Sequence, residues 1–317
     1  MALEKKTFLE TMIDNLNHSI SIVIPHKNDS EIISKALASI ATQLIKPDQV
    51  IIVDDNSLSE HKFRLATQIK EFNGLPIELI TSVGSGLAAA RNTGIRYSRG
   101  SLLAFLDCDD EWLPDKLISQ VNAFTHNVVA VHGWCINVNN DKHETLLKPK
   151  VKYSQQSLIN GDYSVTGSAS CVMLKREIAL KVGGFNENLK FAEDLDMWVR
   201  ISKYGMFKCL EKPLVKIAIR PKSMQHNLRN DPKLKTTAHQ IMIHHWIMQG
   251  FISKHVGKLI LADRVLSISS EYSKVYSFTK VLAYIRNPFD GSNKFWRTNF
   301  AWYLVCLLYT SPSPRDS

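Results

Sequence analysis

The feature that most constrains this chain is an alternation, through its first half, of short apolar β-branched runs with amphipathic segments. Apolar strands separated by helix-length amphipathic stretches imply βα units on a largely parallel sheet. The pattern predicts strands at Ser19–Pro25, Gln49–Asp54, Ile77–Thr81 and Ser101–Leu106. Helices are expected over Glu31–Gln43, with Asn28, Asp29 and Ser30 as cap candidates, then Ser59–Phe72 and Leu87–Tyr97. Each strand runs at its C-terminal end into a polar cluster: His26-Lys27-Asn28, Asp54-Asp55-Asn56-Ser57, Ser82 to Gly86, and Asp107-Cys108-Asp109-Asp110. That edge is where open α/β sheets bind ligands.

A second block follows Pro114. A helix is expected to about Phe124, strands at Val128–Trp134 and Ala169–Leu174, and a short helix to Val182 before the Gly183-Gly184-Phe185 turn. A helix near Glu193–Tyr204 and a strand near Lys212–Ile219 complete it. From about Asp231 the pattern is helical and basic. The expected division is a lead-in over 1–17, an α/β domain over 18–230 and a basic helical extension over 231–305.

The chain has 317 residues, 44% hydrophobic and 22% charged, which excludes a disordered tail, a collagen or a coiled coil. No run of about 18 apolar residues is present, so no membrane-spanning helix is expected. Met1 to Asn17 contains Glu4, Lys5, Lys6, Glu10 and Asp14 and lacks a signal-peptide apolar stretch, so a cytoplasmic location is expected. Cys108, Cys135, Cys171, Cys209 and Cys306 are odd in number and scattered, which predicts reduced thiols. The net charge of +9 is uneven. Residues 1–199 carry 20 Lys and Arg against 24 Asp and Glu, whereas 200–317 carry 19 against 6, a surplus of +13. A basic C-terminal third suggests attraction to an anionic membrane leaflet, a lipid-linked phosphate or an acidic glycan; a solvated basic face is the plainer alternative. Peripheral contact with the inner membrane face is therefore expected at most, and no nucleic-acid partner. The segment Cys306 to Asp316 resembles the translation of a sequencing-library adapter, so 306–317 is set aside as a non-native tail and the natural frame is expected to end near Val305.

The densest chemical signal is Asp107, Asp109 and Asp110 after the apolar run Leu102–Leu106. Three carboxylates within four residues repel one another unless a cation sits among them, and hard divalent ions prefer oxygen ligands. Mg²⁺ or Mn²⁺ is implied, with substrate phosphates as further ligands. A solvated Asp-rich turn is the competing account. Asp54 and Asp55 end another strand, where a carboxylate can accept hydrogen bonds from a base N–H or ribose hydroxyls. Gly84-Ser-Gly86-Leu-Ala-Ala89 mimics a dinucleotide fingerprint, yet three acids beside a metal-free pyrophosphate would repel it. The glycines are read instead as an approach to a diphosphate, helped by Arg91. Glu193, Asp194 and Asp196 open a helix whose apolar stripe is Leu195, Trp198 and Val199. Acids there are either dipole partners or hold a general base aimed at the cleft.

Taken together, these stretches resemble the inverting family-2 glycosyltransferases of the GT-A fold. The matching text is Ser19–Pro25, Val53-Asp-Asp-Asn-Ser57, Gly86-Leu-Ala-Ala-Ala-Arg-Asn-Thr-Gly94, Phe105-Leu-Asp-Cys-Asp-Asp-Glu-Trp112 with Pro114-Asp-Lys-Leu117, and Gly183-Gly-Phe185 before Glu193-Asp194. The resemblance covers about residues 18–225. It implies a nucleotide-sugar donor (UDP-, GDP- or dTDP-linked) and a glycan or lipid-linked acceptor. By it, Asp194 is the catalytic base, Asp109 and Asp110 hold the metal, and Pro25, Asp54, Asp55, Gly86, Arg91 and Asp107 contact the donor. The other readings weighed are a dinucleotide-dependent oxidoreductase and a non-catalytic nucleotide-sugar binding module. One departure stands out. Many relatives carry an Arg-x-His-Pro-Gly-Ser type segment after the base, whereas this chain has Ala218-Ile-Arg-Pro-Lys-Ser223, with Arg220 where the histidine would fall and His226 beyond it. A guanidinium there can hold phosphate but cannot ligate metal.

Overall fold

The computed structural model describes residues 18–165, 167–220 and 231–273. The expectations for 1–17, for His226, for 274–305 and for the 306–317 tail lie outside the described residues. Those described fall into two compact units, 18–220 and 231–273.

The first unit opens as the sequence pattern demands. Strands β1 (Ile20–His26), β2 (Gln49–Asp54), β3 (Ile77–Thr81) and β4 (Leu102–Phe105) alternate with helices α1 (Ile33–Ala41), α2 (Ser59–Gln68) and α3 (Leu87–Tyr97). β1 pairs in parallel with both β2 and β4, and β2 with β3. Ile22, Ile24, Ile52 and Ala104 face α1, whose Ile33, Leu37 and Ile40 are wholly buried against them. Each such aliphatic side chain contributes about 1.5–3 kcal/mol on burial. α3 covers the opposite face and comes so near that a Cβ on Gly94 would stand 2.3 Å from Cγ1 of Val23. Only glycine fits there.

Beyond β4 the sheet ceases to be parallel. The elements are β5 (Glu111–Trp112), α4 (Lys116–Val121), β6 (Val128–Val138), β7 (Glu144–Leu147), α5 (Gln155–Asn160), β8 (Met173–Lys175), α6 (Arg176–Lys181), α7 (Glu193–Ile201) and β9 (Met206–Ala218). The order across the sheet is β3-β2-β1-β4-β8-β6-β9-β5, with β7 beside β6. β8 runs antiparallel to β4 and to β6, and β5 antiparallel to β9, while β6 and β9 are parallel. The fold is thus mixed α/β rather than largely parallel.

Several expected boundaries shift for local reasons. α1 starts two residues later than expected and none of Asn28, Asp29 or Ser30 caps it with a side chain; the Asp29 carbonyl accepts from the N–H groups of Ile32 and Ile33 instead. The Asn28 side chain is spent on the N–H of Leu58. The stretch expected as a strand from Ala169 begins as a 3-10 turn over Ala169–Cys171, because Ser168 Oγ accepts from the N–H of Ser170 and bends the chain. The strand expected near Lys212 starts at Met206. β7 is exposed along its whole length and so carries no apolar period to read, and α5 rests on a capping box between Ser154 and Ser157.

The second unit holds α8 (Pro232–Met248) and α9 (Lys254–Ser273), helical as expected. A Cβ on Gly257 would meet Ile247 at 2.6 Å, so the two helices pack closely at that point. Trp246 and Met242 are buried, whereas His244 is exposed. Among the described residues no helix is long and apolar enough to cross a membrane.

Candidate active site

The C-terminal ends of β1, β2 and β4 lie side by side, because parallel pairing brings His26 opposite Asp54 and Val23 opposite Phe105. The polar clusters that follow these strands therefore share one edge. Their carboxylates differ in what neutralises them.

Asp54 turns inward. Its Oδ1 meets His26 Nδ1 at 3.0 Å and its Oδ2 accepts from the N–H of Ser57. Burial opposes the charge, but hydrogen bonds from Ser57 and His26 prevail and hold the carboxyl below its usual range. Asp55, only 3% exposed, accepts through Oδ2 from the Gly86 N–H and from Lys27 Nζ, both at 2.9 Å. Gly86 reaches it with φ at +96°, a conformation that favours glycine. Oδ1 of Asp55 is buried with no partner among the described residues. A buried acceptor left open is costly unless a ligand donor completes it. Pro25 lines the same edge, its carbonyl accepting from Cys108 Sγ at 3.2 Å.

Arg91 is 1% exposed and acts as a buried brace. Its Nη2 donates to both oxygens of Asp107, at 2.7 and 3.0 Å, and its Nη1 to Glu193 at 3.1 Å. The guanidinium lies 5.3 Å from the centre of the Phe185 ring. Burial works against its charge, but Asp107 and Glu193 outweigh it and the pKa is raised. Arg91 thus fastens the Asp107–Asp110 turn to the first residue of α7. Beside it Asn92 donates to the Phe185 carbonyl and accepts from the Phe185 N–H, locking the Gly183-Gly184-Phe185 turn. The rings of Phe105, Phe185, Trp198 and Phe207 then stack edge to face in succession from β4 to α7 and β9.

Asp194 follows Glu193 on this braced helix start. Ala192, just before it, sits at φ +59°, a left-handed conformation unusual for a residue with a Cβ. Burial pushes Asp194 up despite a hydrogen bond from the Leu195 N–H and the charge of Arg91. Burial, and then Asp194 itself, push Glu193 up to about 7. Asp196 points away from these two and pairs with Arg200, which ties the carbonyls of Val182 and Gly184.

The expected metal ligands separate. Asp110 is 2% exposed, and its oxygens are taken by Ser170 Oγ at 2.6 Å, Ser168 Oγ at 3.1 Å and the Ala218 N–H at 3.2 Å. Ser170 also accepts from the Asp107 N–H, and its carbonyl takes the Trp112 indole N–H, so one serine seats the whole turn. Asp109 reaches outward, and Arg220 donates to its Oδ2 through Nε at 3.0 Å and Nη2 at 2.6 Å. The cations that three neighbouring acids require are therefore supplied largely by the protein: Arg91 on Asp107 and Arg220 on Asp109. Among the described residues no three His, Cys, Asp or Glu side chains converge as a ready metal cage. A lone outward carboxylate does suit an ion that takes one or two protein oxygens and draws the rest from phosphate and water. Asp109 fits that description; Asp110, in this arrangement, does not.

Sequence reasoning passed over Lys27, Asn92, Ser168 and Ser170. The adjacent Arg91-Asn92 pair was legible as text, but the two serines lie some 60 residues from the acids they hold and only the fold joins them. The glycine loop resembling a dinucleotide fingerprint follows the outer strand β3 and gives a backbone N–H to Asp55 rather than leaving it for a pyrophosphate.

The sequence profile of glycosyl transferase family 2 matches residues 21–183. The chain belongs to this family. Among curated glycosyltransferases, the amylovoran biosynthesis glycosyltransferase AmsB of Erwinia amylovora is 30% identical over 206 residues, which is 62% of this chain and 68% of AmsB. The Escherichia coli glucosyltransferase WfgD is 31% identical over 127 residues, 39% of this chain and 49% of WfgD. The chain thus matches about half to two thirds of the length of these relatives. Residues 1–349 of S. aureus TarS, solved with UDP-GlcNAc, align with TM-score 0.66 at 18% identity over 84% of this chain and 79% of that fragment. A Pyrobaculum calidifontis mannosyltransferase solved with GDP-Man and Mn²⁺ aligns with TM-score 0.56 at 16% identity over 92% and 86%. The fold of this family-2 glycosyltransferase is accordingly GT-A.

Proposed function

We propose that this family-2 glycosyltransferase moves a sugar from a nucleotide-activated donor to an acceptor hydroxyl, with inversion at the anomeric carbon, in the assembly of a surface polysaccharide, glycan or glycolipid. The observation that carries this reading is the buried Oδ1 of Asp55, without a partner among the described residues, on the same strand edge as Asp109 and as Asp107, which Arg91 links to the helix bearing Asp194. The names of the relatives point the same way: WfgD acts with UDP-Glc on a diphosphoundecaprenol-linked sugar, and the two solved relatives hold UDP-GlcNAc and GDP-Man.

In this reading Asp55 Oδ1 accepts from a donor N–H of the base, and Pro25, Asp54 and Gly86 shape the wall around it. Asp107, fixed by Arg91, faces the ribose. Asp109 holds Mg²⁺ or Mn²⁺, with Asp107 nearby and Asp110 serving as the buried anchor of the turn. When bound, such an ion offsets the charge that develops on the departing nucleoside diphosphate. Asp194 takes the proton of the acceptor hydroxyl. Its raised pKa makes it a stronger base than a solvated aspartate. No covalent sugar–enzyme intermediate is required.

The test is a panel of UDP-, GDP- and dTDP-sugars scored for nucleotide release with Mg²⁺, Mn²⁺ or a chelator. One donor class is expected to turn over in a metal-dependent way, and Asp194→Asn to lower the rate about 10²- to 10⁴-fold. An Asp194→Asn enzyme at wild-type rate would remove the base assignment. Tight nucleotide binding without turnover of any donor would favour a binding module. The basic C-terminal third is assigned to docking on an anionic leaflet where a lipid-linked acceptor resides. Liposome partitioning that is indifferent to salt would count against that part.

A further inference from the structure

The ion pair between Arg220 and Asp109 has a geometry unlike that of the other charged contacts at this edge. Two donors of one guanidinium, Nε and Nη2, converge on a single oxygen, Oδ2. The side chains remain 40% and 22% exposed, so this guanidinium is not buried as that of Arg91 is. Arg220 lies two residues beyond the end of β9, and among the described residues its hold on the acid turn is this one oxygen. Two further carboxylates crowd the spot. Asp29 feels the charges of both Arg220 and Asp109, and Cys108, between the acids, feels Asp29, Asp107 and Asp109. The guanidinium is thus the counter-ion of Asp109, as Arg91 is of Asp107.

We propose that Arg220 is a resident competitor for the divalent ion, occupying Asp109 until a metal displaces it. This rests on the assignment of Asp109 as the metal carboxylate made above. Because a guanidinium cannot ligate a metal, the two cations exclude one another on Oδ2. On that oxygen a bare ion would have to displace the guanidinium, whereas a diphosphate bound with it would offer an anion to which the released guanidinium could turn. Weak binding of the bare ion follows, with metal uptake coupled to the donor. The exchange is simple ligand displacement, with no bond made or broken beyond coordination and hydrogen bonds.

Titration with Mn²⁺ alone, followed by the electron paramagnetic resonance signal of the free ion, tests this without any substrate. Removing the competitor in Arg220→Gln is expected to tighten Mn²⁺ binding about fivefold, the size of an exposed pair, and the gain is expected to vanish when Asp109→Asn is added. A merely structural arginine would predict equal or weaker binding in Arg220→Gln, and that result overturns the proposal. Should Arg220→Gln fail to fold by circular dichroism, Arg220→Lys decides: one donor in place of two is expected to leave Mn²⁺ binding tighter than in the wild type, and unchanged binding overturns it. The donor panel is a separate readout. If no donor turns over while the Mn²⁺ affinities shift as stated, the glycosyl-transfer reading fails and the competition stands.

Discussion

Glu193 and Asp194 are adjacent carboxylates on one braced helix start, and their charges oppose each other. Burial and then Asp194 push Glu193 up to about 7, and burial pushes Asp194 up as well. Because burial raises Asp194, the acidic limb of kcat/KM is expected above the range of an isolated aspartate. Because Glu193 keeps its proton up to about 7, Glu193→Gln is expected to leave that limb in place, with a reduced rate because Arg91 loses one of its two carboxyl partners. A pH–rate profile of wild type and variant checks both. Ser170 is the second informative residue. It donates to Asp110 and accepts from the Asp107 N–H, so Ser170→Ala strips two buried groups of a partner at once. A loss of about 1–3 kcal/mol is expected by urea unfolding, together with weaker nucleotide binding as the turn loosens.

Elements differ in how openly the sequence declares them. β1 to β4 and α1 to α3 are legible because their apolar residues recur with a period and their ends carry polar clusters; the family motifs sit on those ends, which is why Asp55, Asp107 and Asp109 could be placed on one edge. β5 and β7 are not legible: two residues make no period, and an exposed strand has no apolar face. The reversal of β8 is hidden for another reason, since strand direction depends on partners far along the chain. Nor does spacing reveal that Arg91 is buried while Arg220 is exposed at one end, or that Asp110 is spent on serines. In the sequence Gly94 is only the last residue of a motif, and packing gives it its cause. Gly94→Ala is expected to force α3 away from Val23 and to destabilise by about 1–3 kcal/mol, measured as a lowered Tm, with nucleotide affinity falling because Arg91 and Asn92 ride on the same helix.

At the scale of the whole molecule, the buried ionisable groups set how stability follows pH: His132 and Glu193 oppose each other below about 7, and Lys116 acts above it. Burial pushes His132 down to about 4, so between there and the ordinary histidine range the unfolded chain binds more protons and stability rises with pH. Glu193 works the other way over much of the same interval, because the folded chain keeps its proton up to about 7. Above 7 the two no longer contribute and Lys116 stands out. It is fully buried, donates to Gln120 at 2.5 Å and lies 4.0 Å from the centre of the Trp112 ring. The ring favours the ammonium, yet burial prevails and pushes its pKa down to about 7. An unfolded lysine titrates near about 10.4, so from about pH 7 upward the unfolded chain holds a proton that the folded chain has released, and stability rises. Each unit of that difference corresponds to about 1.4 kcal/mol, which puts the full gain on the order of a few kcal/mol. Lys116→Met keeps the aliphatic stem against Trp112 and removes the titration. Urea unfolding at pH 7 and at pH 9 is expected to show the wild type gaining stability between the two, and the variant gaining much less.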